Sequence, residues 1–556
     1  MKGGDGVKEP IAVPVAIVGA GPVGLAAGLE LMRFGIPFQI FEEDDTLSSK
    51  PKAGTILPRS LEIFAGEGII DGVLREGLRF DEVHFVDRPT DKVLMRMLMS
   101  PMGDETRYPF IVNLPQNDLE ALMQAALCQG GHSIRFQHQL KTISQDAGGC
   151  HLWFETPEGP MEVAAQFVLA CDGGRSIIRH QLGIEMAGVT HPERFLVADF
   201  KVDLDRRTGR PLTYLSYIFD PEEWVIFVRQ PRFWRFLIPI PQGASEPSQV
   251  EVIDKVRRVV KNSMLPIDFL DMGVYHVHHR TAKTWQKDRI FLLGDAAHLI
   301  TPVGGLGMNT GIQDANNLAW KIAWVLNHHA DRALLETYES ERAPIARFNA
   351  RNQADRNRDV MRMKSPIKRV GRNLILGWMD RADGLQWQAS HARSLLGTSY
   401  KPARKPPSLL TQIGTARHFV RPPIEVGDRV PDGAVMGSDG KRHHLHSLLE
   451  KEFVALLLMD PRKRMAVDPD VPGLHQYVMH RFDAAFDTGL RERALLDPGG
   501  HLQKKLGIDE EHFILIRPDA HVEVIAPFLE SSSIVQAYQG FIQQQLPTEL
   551  PKTGVL

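Results

Sequence analysis

Cysteine is scarce in this 556-residue chain: Cys128, Cys150 and Cys171 are all there is, with no C-x-x-C spacing. That argues against a disulfide framework and a zinc site; no metal is expected, and a reducing compartment, by default the cytoplasm, fits. Long apolar runs are also missing. No stretch of about 18 apolar residues occurs, so no membrane-spanning helix is expected. The apolar residues 11–18 behind Lys2 and Lys8 run straight into a glycine loop and read as a first strand rather than a signal peptide. Nor does charge of one sign dominate. With 65 basic against 68 acidic side chains and a net charge of −3, there is no global electrostatic footprint for nucleic acid. Two basic runs are local: residues 401–407 are Pro-rich and read as a linker, and 351–372 as a largely solvated helical face. The length is too great for one ordinary core and suggests about three domains.

Glycine, by contrast, is placed with purpose. Val15-Ala-Ile-Val-Gly19-Ala-Gly21-Pro22-Val23-Gly24 is an apolar run ending in G-x-G-x-x-G, followed by an Ala/Leu-rich helical stretch over 25–32. Strand, tight turn and helix follow in that order. The first glycine allows the turn, the second lets a pyrophosphate approach the backbone, the third lets helix pack on strand, and the helix start faces the phosphates. A second apolar run, 37–41, delivers Glu42 about 18 residues after Gly24, close to where an acid grips a ribose hydroxyl.

A second cluster reads Ile290-Phe-Leu-Leu-Gly294-Asp295-Ala-Ala-His298, then Thr301-Pro302-Val-Gly304-Gly305-Leu-Gly307-Met308-Asn309-Thr-Gly311. Residues 290–293 have a buried-strand pattern, and an Asp at its end can accept hydrogen bonds from a flavin's ribityl hydroxyls. The glycine-dense loop 304–311 runs into a helical stretch over 310–326, whose start can stabilise negative charge on the N1/C2=O side of a reduced flavin. The alternative is a surface turn whose glycines serve only backbone geometry. A third segment, Phe167-Val-Leu-Ala-Cys171-Asp172-Gly173-Gly174-Arg175-Ser176, is again a strand running into a turn and a helix start.

In this order, the G-x-G-x-x-G, D-G and G-D segments resemble the motifs of the single-component (group A) flavoprotein aromatic hydroxylases. The chain is most similar to the branch containing phenol hydroxylase, hydroxyphenylpropionate hydroxylase and the polyketide aromatic hydroxylases. Met308-Asn309-Thr310-Gly311-Ile-Gln-Asp314-Ala-Asn-Asn317-Leu-Ala-Trp320-Lys321 and Tyr338-Glu-Ser-Glu-Arg342-Ala-Pro344 carry the likeness further. It is strong over residues 11 to about 350 and fainter beyond.

The resemblance implies an α/β plus α+β architecture: a Rossmann-like FAD-binding domain of PHBH-like fold, an antiparallel-sheet substrate domain and a thioredoxin-like C-terminal domain. The expected boundaries are 1–184 and 285–350 for the two parts of the FAD domain and 185–284 for the substrate sheet. A helical connection and linker follow over 351–407, and the C-terminal domain over 408–556. The alternation in residues 194–203 and the aromatic-rich runs 214–219 and 224–228 agree with an antiparallel sheet that lends a mostly apolar pocket to the cofactor. Because a thioredoxin's cysteine pair is absent from the C-terminal part, packing or a homodimer contact is the expected role there.

The resemblance also implies roles. Glu42 would hold the adenosine ribose; Arg59 and Gln116 would lie along the cofactor; Asp295, after Gly294, would meet the ribityl chain; Gly307, Met308 and Asn309 would offer backbone groups to the isoalloxazine. Pro302 and Lys52 belong to the same cofactor set. Asp172 and Arg175 would sit near the pyrophosphate or a transient nicotinamide. For Arg59 the alternative is an ordinary helix-start arginine, for Gln116 a polar loop residue, and for Asp172 and Arg175 an Asp-Gly turn with a solvated arginine. On the substrate side Tyr214, Tyr217, Arg235, His276 and His278 are candidates, and Tyr217, Arg235 and His278 are the expected catalytic groups, each weighed against an ordinary strand residue.

The implied reaction is that NAD(P)H reduces FAD, O₂ adds at flavin C4a, and the hydroperoxide passes an oxygen to a phenolic ring. The small aromatic substrate and O₂ are the expected partners, with no nucleic acid or membrane. Three departures bear on the substrate. Lys52 stands where many relatives place arginine, Gly54 where phenol hydroxylase-like members can carry an Asp, and Leu306 where a Gln is frequent. Two other functions stay open: a flavin-dependent halogenase, whose W-x-W-x-I-P motif is nearly met by Trp234-Arg-Phe236-Leu-Ile238-Pro239, and a non-catalytic FAD-binding scaffold.

Overall fold

The computed structural model describes residues 11–50, 52–204, 213–301, 304–350, 360–361, 363–401, 423–449, 451–458, 471–480, 493–508, 511–528 and 532–543. Three large sheets organise them.

The first is built on short, continuously apolar strands, the pattern of a sheet covered on both faces. Strand Ile11–Val18 pairs in parallel with Phe38–Phe41 on one side and Gly159–Ala170 on the other, and Ile290–Leu292 joins beyond Gly159–Ala170. The register sets Val18 beside Phe41 and Ala170, and Ala170 beside Leu292, so all these strands end at one edge. Glycine loop, Glu42, Asp172 and Asp295 all follow at that edge, where open α/β sheets bind ligands. Helix Pro22–Arg33 starts earlier than the apolar stretch requires because Pro22 is pre-set for a first helical turn. The second helix, Leu306–Asn327, begins four residues before the expected 310, since Gly305 takes the left-handed conformation (φ +64°) and turns the chain directly into it.

The second sheet is eight-stranded and largely antiparallel, and its alternation sorts side chains by face. In Trp234–Ile240, Trp234, Phe236 and Ile238 join a core closed by Val252, Val256 and Val259 of helix Gln249–Val259, while Arg235 and Leu237 point the other way. The near-halogenase segment is thus a buried strand, with Phe236 packed edge-on against Phe227 and Phe200. The sheet reaches beyond the 185–284 stretch: Glu82–Asp87, Lys92–Leu98 and His298–Leu299 are also strands of it. Residues 82–98 carry no sign in their own sequence of which sheet they complete.

Past residue 360, helices Pro366–Met379 and Asp383–Ser394 lie against the strand Lys92–Leu98. The reading of 351–372 as a solvated basic face needs correction where described. Arg372 is buried and paired with Asp87 at 3.1 Å, and the exposed side of its helix carries Ile367, Val370 and Leu374. The Pro-rich run 402–407 lies outside the described residues.

A third, seven-stranded mixed sheet is formed by the C-terminal part. It shares its core with the first unit: Trp320 packs edge-on against Phe453, and the Trp324 indole N–H donates to the Tyr538 hydroxyl at 3.0 Å. Beside this contact lies a buried charge cluster. Arg517 reaches Glu341 (2.7 Å) and Asp519 (2.6 Å), and Lys321 reaches Glu341 (2.7 Å). Burial would raise the Glu341 carboxyl, but Arg517 and Lys321 override it and hold it down to about 2. Glu523 lies 3.4 Å from the same Arg517 and receives too little of its charge; burial pushes it up to about 7.

The folded state therefore holds the Glu523 proton more tightly than the unfolded chain does, so this group's contribution falls as pH rises from the ordinary glutamate range through about 7. The expected loss is on the order of 1–3 kcal/mol. Thermal melts at about pH 5 and pH 8 should show Glu523→Gln losing less stability between the two than the parent. An identical pH response in both would contradict it.

Candidate active site

At the common edge of the first sheet, roofed by the second, lies a cavity of about 680 Å³. Its first wall is the glycine loop. A Cβ on Gly19 (φ +104°) would lie 2.4 Å from the Cys171 carbonyl oxygen, and one on Gly24 2.0 Å from the Gly19 carbonyl oxygen, whereas Gly21 meets nothing within 4 Å. Two glycines are consumed by packing. The middle one faces open space next to a helix start with no side-chain cap, which is where a pyrophosphate would be received.

Glu42 lines the same wall, one carboxylate oxygen accepting from the Ala20 N–H (2.6 Å) and the other from the Asp44 N–H (3.1 Å). Asp172 accepts from the Ile178 N–H at 3.1 Å, while its second oxygen is buried without a partner. Burial raises its pKa against the pull of Ser176 and Ile178. Asp295 lines the cavity with its side chain exposed; the protein packed around it raises its carboxyl, partly offset by His298 and Lys52. Lys52, Gln116, Pro22, Val23, Arg175, Gly307 and Met308 also reach the wall. Gln116 is already engaged, accepting from the Ala53 N–H and donating to Glu120.

Several expected cofactor residues stand elsewhere. Arg59 needs correction: its guanidinium points into the interior, to Glu62 (2.9 Å), Asn316 (3.3 Å) and the Asp519 carbonyl (2.8 Å), and not to the cavity. The Asn309 side chain does not line the cavity, which leaves the backbone role expected of it untouched: its Oδ1 accepts from the Leu57 N–H and the Ser60 hydroxyl, and its Nδ2 donates to the Thr55 and Gly305 carbonyls, so the side chain ties its helix start to residues 55–60. Gly294 (φ +55°) stands behind the wall, where a Cβ would lie 2.8 Å from Val23. Pro302 lies outside the described residues.

Below the Gly294-Asp295 turn is a brace that sequence reasoning quoted without a role. Asp314 accepts from His298 Nε2 (2.7 Å), the Gly294 N–H (3.2 Å) and Arg342 Nε (2.8 Å), and Arg342 also donates to the Thr310 carbonyl. Burial would raise Asp314, but Arg342 and His298 prevail and keep it below the ordinary carboxylate range.

The second sheet supplies the opposite wall. Leu215, Tyr217, Ile226, Val228, Arg235 and Leu237 face the cavity. Tyr217 stacks on Phe85 at 5.2 Å. Arg235 is held by Asp199 through two bonds of 2.8 Å and donates to the Lys52 carbonyl. His276 and His278 line the mouth, with Thr190 3.0 Å from His278 Nδ1; burial, then Arg280 and His276, push His278 below the usual histidine value. Tyr214 is absent from the wall, its ring set edge-on against Phe80.

Among the cavity residues not anticipated, two are polar or charged and buried on the substrate side, Gln230 and Arg393. Gln230 is fully buried, donates from Nε2 to the Gly54 carbonyl (3.2 Å) and leaves Oε1 without a partner. It shares strand parity with Ile226 and Val228, a signal that could have found it. A Cβ on Gly54 would lie 2.6 Å from this amide, so Gln230 fills the space a larger residue at 54 would need. Arg393 comes from the helical connection and had no local signal.

The model for the FAD binding domain matches residues 12–353 of the chain. The chain is 30% identical over 438 residues to the 3-(3-hydroxy-phenyl)propionate/3-hydroxycinnamic acid hydroxylase of Mycolicibacterium smegmatis, covering 76% of this chain and 75% of that protein. Among solved structures it is similar to the flavin-dependent monooxygenase PieE in complex with FAD and substrate (TM-score 0.77, 22% identity, 97% of this chain and 100% of that one). It is also similar to aklavinone-11 hydroxylase with FAD and aklavinone (TM-score 0.76, 22% identity, 96% and 99%). The fold and site define a flavoprotein. The chain belongs to the FAD-binding domain family, as an FAD-dependent aromatic hydroxylase.

Proposed function

We propose that this enzyme uses NAD(P)H and O₂ to hydroxylate a phenolic ring lying between the second sheet and the flavin site. The observation that carries this is the single cavity that joins an anion-receiving glycine loop to an apolar wall with few polar groups. FAD, reduced by NAD(P)H, supplies the oxygen-activating chemistry when bound. Gly21 and the first turn of its helix would receive the pyrophosphate, Glu42 the ribose, Asp295 the ribityl chain, and the helix start at Gly307 and Met308 the ring system.

The protein's own work is to orient the phenol and keep water away. Leu215, Ile226, Val228 and Leu237 provide a dry surface, and Tyr217, fixed by its stack on Phe85, a flat one. Gln230 Oε1 accepts the ring hydroxyl, since it is otherwise a buried acceptor without a donor. His278, neutral at pH 7 through its lowered pKa, takes the phenolic proton. Arg235 spends its charge on Asp199 and positions the Lys52 segment through its carbonyl. The C-terminal sheet, read as thioredoxin-like without the cysteine pair, serves packing.

Purified enzyme should oxidise NAD(P)H faster with a phenol of the correct shape, forming hydroxylated product in proportion to the NAD(P)H consumed. Hydrogen peroxide alone across phenols, hydroxybenzoates and polycyclic phenols would contradict the reading. His278→Phe should change the pH dependence of kcat/KM; an unchanged profile removes His278 as the base.

A further inference from the structure

The substrate half of the cavity holds a cation, Arg393, without an acidic partner among the described residues. Arg393 is 7% exposed, lies on the cavity wall, and has an Nε buried without a hydrogen-bond partner. Among the described residues no carboxylate pairs with it, in contrast to Arg235, which is neutralised by Asp199. Its guanidinium carbon is 5.7 Å from the centre of the Tyr217 ring, and a Cβ on Gly304 would lie 3.2 Å from its Nη1. It therefore stands where the aromatic wall meets the glycine loop. The acidic residues of the cavity wall, Glu42, Glu43, Asp44, Glu120, Asp172 and Asp295, all belong to the cofactor half.

This placement is built, not incidental. Helix Asp383–Ser394 is tied to the edge of the second sheet: Gln386 donates to the Arg96 carbonyl and accepts from the Leu98 N–H, and the Ser390 hydroxyl donates to the Leu98 carbonyl. Ser390 precedes Arg393 by one turn, so the anchored face of the helix delivers the guanidinium. Removing a guanidinium from water without a partner is costly, and such a group persists where a ligand completes it. Its planar fork matches a carboxylate.

We propose that Arg393 is a specificity-determining residue that binds the carboxylate of the substrate, so that the enzyme selects hydroxyaryl carboxylic acids over neutral phenols. The proposal rests on the hydroxylase reading for the phenolic ring, and its test separates the two. The probes are 3-(3-hydroxyphenyl)propionate, its primary amide, and the corresponding acid–amide pairs on benzoate and naphthoate rings, titrated into holoenzyme while the bound flavin's visible spectrum is followed. The parent should bind at least one acid about 30-fold more tightly than its amide, as expected where a buried charge is left without its partner. Arg393→Met should bring acid and amide to within about twofold, and Arg393→Lys should fall between, because a point charge keeps attraction and loses the fork. FAD content and amide binding should not change.

Retained preference in Arg393→Met overturns the proposal, as does loss of FAD from that variant, which would assign the guanidinium to the cofactor. A parent that ignores every acid, or binds acids and amides alike, overturns it too. Hydroxylation of neutral phenols with no advantage for acids would leave the hydroxylase standing and remove the anchor. Acid binding that depends on Arg393 but never yields hydroxylated product would leave the anchor and remove the hydroxylase reading.

Discussion

Asp314→Ala is expected to lower the melting temperature by roughly 10 °C and to release most of the FAD from the purified protein. Asp314 is fully buried, and it is the only carboxylate among the described residues paired with Arg342, itself 0% exposed. Removing it leaves an uncompensated guanidinium in the interior, at a cost of about 3–5 kcal/mol. The same change strips the Gly294 N–H of its acceptor and frees His298, so the turn that presents Asp295 to the cavity loses its floor. Asp314→Asn retains the shape and some hydrogen bonds but not the charge, and should fall between. Melting curves and the ratio of flavin to protein absorbance check both. A variant with parental melting temperature and flavin content would show that the brace does not govern the turn.

Gly24→Ala and Gly21→Ala should each weaken FAD binding strongly but differ in stability. At Gly24 the added methyl would sit 2.0 Å from a backbone oxygen of Gly19, so helix and loop must separate. Strain of this kind costs about 1–3 kcal/mol or more and should lower the melting temperature of the FAD-free protein as well as FAD affinity. At Gly21 a methyl meets nothing within 4 Å. It leaves the protein's packing intact and occupies the approach of the pyrophosphate, so the FAD-free melting temperature should stay put while affinity falls, by about 100-fold for a loss near 3 kcal/mol. Calorimetric titration of FAD into deflavinated protein, with melts of the same samples, separates the effects. Equal destabilisation by both, or normal FAD binding by Gly21→Ala, would contradict this assignment of the three glycines.

Part of this site is encoded locally in the chain. Gly19, Gly21, Gly24 and Glu42 form a strand–turn–helix–strand unit whose spacing is local, and Asp295 follows its strand directly; their positions in three dimensions depend little on the rest of the chain. Arg59 is equally close to motif residues, yet the helix that carries it is rotated so that its guanidinium meets the Asp519 carbonyl, 460 residues away. No local pattern encodes that rotation. Gln230 falls between: its strand parity was readable, but its pairing with Gly54 depends on two segments 176 residues apart.

By itself the sequence determined the sheet edge that carries the glycine loop, Glu42 and Asp295 and the antiparallel character of the second sheet, because those follow from the spacing of glycines and the two-residue alternation of strands, while the chemical class followed from the family resemblance of its motifs. Only the tertiary structure decided that residues 82–98 complete that sheet, that Asp314, Arg342 and His298 brace the Asp295 turn, and that Arg393 reaches the cavity from a helix beyond the FAD-binding segment. The physical reason is that a side chain's charge matters through what it faces. For Arg393 that is set by a helix tied to Arg96 and Leu98, nearly 300 residues earlier in the chain.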